Sequence, residues 1–130
     1  MQPKSVELTQ AEWTIMKALW TQEPCTAPDI QEALHAETGW AYSTVRTLMD
    51  RLVAKGLLAA AKQRHLTIYR SAVSREQAQR GELLYALKHA FDGALTPMVQ
   101  CLLDSEDLDA RELAELEQLI KARKKRRGGA

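Results

Sequence analysis

The sequence predicts a mainly α chain carrying one small β hairpin, and three observations predict it. Apolar residues recur at helical spacing in six stretches divided by capping and stop signals. After the third stretch the period shortens to two, between Leu58 and Arg70. Positive charge is segregated, although the net charge is only +1. Residues 1–37 hold two basic against six acidic side chains, and residues 38–72 hold six basic against Asp50 alone. Residues 73–121 hold five basic and ten acidic, and the last nine hold five basic and none acidic. A basic segment between acidic ones is a local footprint for a polyanion.

A chain of 130 residues makes one ordinary domain, or a small domain plus an oligomerisation segment. Its apolar fraction of 45% is enough for a core, and no apolar run approaches the length of a membrane span. The N-terminus lacks the apolar core of an export signal. Cys25 and Cys101 are far apart, which argues against a disulfide framework or a clustered metal site. A cytoplasmic location is expected, with no metal and no cofactor.

Thr9 opens the first helix: Glu12 completes a capping box, and Leu8 with Trp13 forms a hydrophobic staple. Trp13, Ile15, Met16, Leu19 and Trp20 give an apolar stripe to about Thr21, read as core scaffold. Thr26 caps a second helix with Pro28 and Asp29 in its first turn. Ile30, Ala33 and Leu34 are expected to face inward, and Gly39 to stop it. A tight connection then leads into the third helix, as in a helix-turn-helix.

That third helix, Tyr42 to Lys55, carries Val45, Leu48, Met49, Leu52 and Val53 on one side. The other side carries Ser43, Thr44, Arg46, Thr47, Asp50 and Arg51. Hydroxyls beside guanidinium groups suit phosphates and base edges, so the helix is read as a DNA-reading one. Gly56 can end it in the left-handed conformation, with Leu57 returning to the core. Leu58 to Ala61 and Leu66 to Arg70 form the hairpin, with either Leu66 and Ile68 or Thr67 and Tyr69 inward. Its tip is basic, Lys62-Gln63-Arg64-His65, and the lack of Gly or Asn leaves a loop longer than two residues open. Three helices and a two-stranded wing define a winged helix-turn-helix over residues 1–73.

Ser74 and Gln77 form another capping box, opening a helix to about Phe91. Leu84, Leu87 and Phe91, then Leu95, Met98, Val99, Leu102 and Leu103, then Leu113, Leu116, Leu119 and Ile120 after Asp109, make three amphipathic helices. So small a unit, residues 74–121, encloses too little surface alone and is expected to pair with a copy of itself. Two-fold symmetry would match palindromic operators. Residues 122–130 are expected to be a disordered basic tail. No enzyme is expected: His35, His65 and His89 lack metal spacing, neither Cys has a partner, and no Gly-rich phosphate loop appears. His65 is read as a phosphate donor. The rival reading is a winged-helix module that binds protein and no DNA.

With these segments placed, the chain resembles the penicillinase-repressor family of bacterial winged-helix regulators, which includes repressors of β-lactamase, methicillin resistance and copper export. The resemblance spans Leu8 to Ile120 and is carried by LTQAEWTIMKALW, TAPDIQEAL, WAYSTVRTLMDRLVAKGLL and the Ile68-Tyr69 pair. It implies that Thr44 and Thr47 meet operator bases or phosphates, with Arg46 and Arg51 as basic partners and Arg64 and His65 at the wing tip, where relatives commonly show Gly-Arg; Lys62, in the basic wing loop, is read as a further phosphate anchor. Ser43 stands where relatives often have lysine, and Ala41-Tyr42 where many have Ser-Pro, so the helix loses its cap and Tyr42 can meet a phosphate. It also implies a homodimer on operator DNA, controlling β-lactamase or related resistance genes. Relief by a membrane sensor-protease or its downstream protease is implied too, with Cys101-Leu102 as the candidate cut where relatives have Asn-Phe. A copper-responsive or other signal-responsive repressor is the alternative, though the paired C-terminal cysteines of copper sensors are missing.

Overall fold

The computed structural model describes residues 7–105 and 107–128. Its elements are α1 (Gln10–Gln22), α2 (Ala27–Thr38), α3 (Tyr42–Ala54), β1 (Leu58–Gln63), β2 (Leu66–Ser71), α4 (Arg75–Ala90), α5 (Leu95–Leu103) and α6 (Ala110–Gly128). The fold is mainly helical with one antiparallel two-stranded wing.

Local chemistry sets the helix starts. At α1 the Glu12 amide donates to Thr9 Oγ1 at 3.1 Å, and the Thr9 amide donates back to Glu12 Oε1 at 2.9 Å. Thr26 and Asp29 repeat this reciprocal pair at α2, and Ser74 and Gln77 at α4. Each pair satisfies two amides that a helix start otherwise leaves unbonded. Gly39 ends α2 at φ 64°, its amide donating to His35 O at 2.9 Å. The end of α3 is a Schellman motif: Gly56 (φ 83°) donates to Val53 O at 3.0 Å, and Leu57 to Leu52 O at 2.9 Å.

Ile15, Met16 and Leu19 of α1, Ile30 and Leu34 of α2, and Val45, Leu48, Met49 and Leu52 of α3 close one core with Leu57, Leu58 and Tyr69. Burying each such side chain contributes about 1.5–3 kcal/mol, so this stripe-on-stripe packing is what fixes the three helices. Ala33, expected inward, is exposed, and Ala27 is buried instead. The α2 stripe is Ala27, Ile30, Leu34, at i, i+3 and i+7, which leaves Ala33 beyond its edge.

The wing is longer and tighter than expected. Gln63 pairs with Leu66, so the turn is the two residues Arg64-His65. Of the two inward sets left open, the one with Tyr69 is observed: Tyr69 is buried and Leu66 is exposed. Reciprocal bonds with Cys25, Tyr69 N to Cys25 O at 2.7 Å and Cys25 N to Tyr69 O at 3.1 Å, pull that face onto the helices.

Two compact units are found, Met1–Ala86 and Leu87–Ala130, rather than a boundary at 73/74. The start of α4 belongs with the winged helix because Trp20 Nε1 donates to Val73 O at 3.2 Å and the Arg75 guanidinium lies 5.1 Å over the Trp20 ring. The basic segment expected to be disordered is helical, continuing α6 to Gly128. Lys, Arg and Ala are good helix formers, and cations suit the negative end of the helix dipole. None of the helices is long and apolar enough to cross a membrane, among the described residues.

Candidate nucleic-acid interface

The core stripe of α3 dictates its outer face. With Val45, Leu48, Met49 and Leu52 buried, Tyr42, Ser43, Thr44, Thr47, Asp50 and Arg51 stand exposed, and Arg46 is half-buried. Thr44, Thr47 and Arg51 are spaced i, i+3 and i+7, one row along the helix. Ala41 occupies the N-cap position and gives no side-chain hydrogen bond, so the start of α3 is uncapped.

Two of the expected phosphate contacts are tied to each other. Arg46 Nη1 donates to Tyr42 Oη at 3.1 Å, and Arg46 Nε donates to Asp50 Oδ1 at 3.2 Å. The Tyr69 hydroxyl reaches the same carboxylate oxygen at 3.5 Å. The Tyr42 hydroxyl and then Asp50 push the Arg46 pKa up, so its charge is fixed. Burial raises the Tyr69 phenol against the pull of Arg46, which keeps it a protonated donor. Arg46 therefore braces Tyr42 and Asp50 on the surface. The i, i+4 spacing of Tyr42, Arg46 and Asp50 is the signal that carries this brace.

Arg51 is held from behind. Its Nη1 lies 4.0 Å from Oε2 of Glu12, a fully buried carboxylate on α1. Lys55 Nζ donates to Glu12 Oε1 at 2.6 Å and to Glu7 O at 3.0 Å. Burial alone raises the Glu12 pKa, but Lys55, the Thr9 amide and the Arg51 charge outweigh it and hold the carboxyl below its ordinary value. Sequence reasoning read Glu12 as a cap and passed over Lys55, because a contact across 43 residues leaves no local signal.

On the wing, Lys62, Arg64 and His65 are all exposed, with Arg64 at φ 58° in the turn. Cys25 is buried, and burial, with the nearby Asp29 and Glu23 charges, pushes its thiol up to about 11, so it is a core residue. No group of three or more metal-capable side chains comes together among the described residues.

Of the residues expected to pair two copies, Leu84, Leu95, Leu102, Leu103, Leu113, Leu116 and Ile120 are exposed within the chain. Leu87, Phe91 and Val99 are half-buried, and Met98 is buried. Cys101 and Leu102 lie exposed inside α5, whose helical backbone keeps the bond between them out of an extended form.

Comparison with known proteins supports the fold and gives the family. The methicillin resistance regulatory protein MecI of Staphylococcus aureus (strain N315) is 27% identical over 120 residues, covering 92% of this chain and 98% of that protein. The penicillinase repressor of Bacillus licheniformis is 24% identical over 124 residues, covering 95% and 97%. The solution structure of the DNA binding domain of the repressor BlaI superposes with a TM-score of 0.51 at 23% identity, over 57% of this chain and 90% of that one, which supports the winged-helix fold. The penicillinase repressor family model matches residues 8–122, nearly the whole sequence, and the chain accordingly belongs to that family of winged-helix transcriptional repressors.

Proposed function

We propose that the chain is a cytoplasmic, homodimeric repressor that occupies a palindromic operator at β-lactamase or related resistance genes and excludes polymerase while it is bound. One observation carries the reading: α3 buries Val45, Leu48, Met49 and Leu52 and turns Ser43, Thr44, Thr47 and Arg51 to solvent. Thr44, Thr47 and Arg51 read base edges in the major groove, while Lys62, Arg64 and His65 on the wing meet backbone phosphates. The names of the relatives, a methicillin resistance regulator and a penicillinase repressor, support the choice of genes. The exposed leucines of α4 to α6 support the dimer, because water-facing rows of Leu and Ile on successive helices are stable only when covered.

The test uses a duplex selected by the protein from a random pool, compared with random DNA across a salt series. Arg51→Ala should weaken the selected duplex by about 1–3 kcal/mol and relax preference at one base pair. Lys62→Ala should weaken both duplexes alike and lower the salt slope by about one unit. If the two substitutions act identically on both duplexes, or if binding ignores salt, the reading fails.

A further inference from the structure

The carboxylate of Glu12 is an unusual thing to find directly behind a DNA-facing helix. It is 0% exposed, and Oε1 accepts from Lys55 and from the Thr9 amide. Among the described residues, the buried Oε2 has no hydrogen-bond partner. The group that faces it is the Arg51 guanidinium at 4.0 Å, outside hydrogen-bond range but within reach of charge attraction. The Arg51 side chain is itself 50% exposed, so one edge is turned to the buried carboxylate and the rest to solvent beside Thr47. A guanidinium has five donors in a rigid fork; pulling on one edge fixes where the others point. Lys55, by contrast, has its ammonium taken up by Glu12 and by the Glu7 carbonyl.

We propose that Glu12 is a positioning residue for DNA selectivity: it holds Arg51 in the orientation that reads a base edge and withholds Lys55 from the phosphates. Resting on the DNA-binding reading above, the inference adds that this carboxylate lowers affinity for duplexes in general while raising preference for one sequence. Order before contact explains the preference, because a fork already aimed loses less freedom on binding. Neutralising two cations from within explains the lowered general affinity, since fewer condensed counterions are released.

The experiment is Glu12→Gln, which keeps the volume and an oxygen to accept from the Thr9 amide but removes the charge. Random duplex should then bind more tightly, with a salt slope steeper by about 0.9 for each cation released to a phosphate. The ratio of selected to random affinity should fall about tenfold, the scale of one bidentate base contact. In an Arg51→Ala background the same substitution should leave that ratio unchanged, because the residue through which Glu12 acts is gone. A simple loss of fold would weaken both duplexes together and overturn the proposal, as would an unchanged ratio and slope. Nitrogen NMR of the Arg51 side chain in the unsubstituted protein, free of DNA, decides independently of any variant: separate, slowly exchanging Nη signals are expected, and a freely rotating guanidinium overturns the proposal. An unsubstituted chain that selects no sequence overturns the DNA reading and this inference with it; a selected-to-random ratio that Glu12→Gln leaves unchanged overturns this inference alone.

Discussion

Arg64 is the first of the two residues that turn β1 back into β2, and its φ of 58° is one that most L side chains avoid. The left-handed region costs a side chain about 1–2 kcal/mol by crowding Cβ against the next carbonyl. Arg64→Gly removes that crowding but adds about 0.5–1 kcal/mol of backbone freedom to the unfolded chain. The net expectation is a gain of up to about 1.5 kcal/mol, read as a higher urea midpoint. The same variant should lose a slope of about 0.9 in the salt dependence of random-duplex binding, because one phosphate partner has gone. A lower urea midpoint would contradict the strain argument, and an unchanged slope would remove Arg64 from the interface. The two-residue turn was not legible in the sequence, because neither Arg64 nor His65 is a residue that such turns favour. The register is set elsewhere, by the Cys25–Tyr69 bridge and by Tyr69 filling the core.

At the level of the element, α3 is asymmetric: its end is closed by Gly56 and Leu57, and its start is open at Ala41. Ala41→Ser supplies a hydroxyl to the first-turn amides and should stabilise the fold by about 1 kcal/mol, seen as a raised thermal midpoint. The backbone at Ala41, extended at φ −75° and ψ 161°, is the one an N-cap requires, so an unchanged midpoint would contradict the capping argument. Helix starts were the most legible part of the chain. Thr9, Thr26, Ser74 and Asp109 each act on an amide three residues on, so cause and consequence fall in one short window. The inner and outer faces of α3 were legible for the same reason, since 3.6-residue periodicity is local. The brace of Arg46 and the burial of Glu12 depend on which side chains meet, and for Glu12 the partners lie on another element.

At the scale of the molecule, leucines of α4, α5 and α6 stand exposed on each of the three helices. Leu116 is 38% exposed and Leu113 42% exposed, on one side of α6. On the proposed dimer, Leu116→Lys should shift sedimentation from dimer to monomer and lower operator occupancy, because two half-sites bound together gain more than either alone. An unchanged sedimentation coefficient would take Leu116 out of the pairing face. The six helices and the wing were legible from pattern alone, whereas the division of the chain was not. A composition shift at residue 74 marks where a helix begins, but Trp20 holding Val73 and Arg75 decides which unit its first turns join.

The helical continuation of α6 changes what its terminal cations can do. A loose tail sweeps a volume; a wound one only points. Nineteen residues make a rod about 28 Å long, with its charges set at a fixed pitch like teeth on a gear. Excising a single residue from its middle therefore does more than shorten it, because every charge beyond the cut swings round the axis by about 100°.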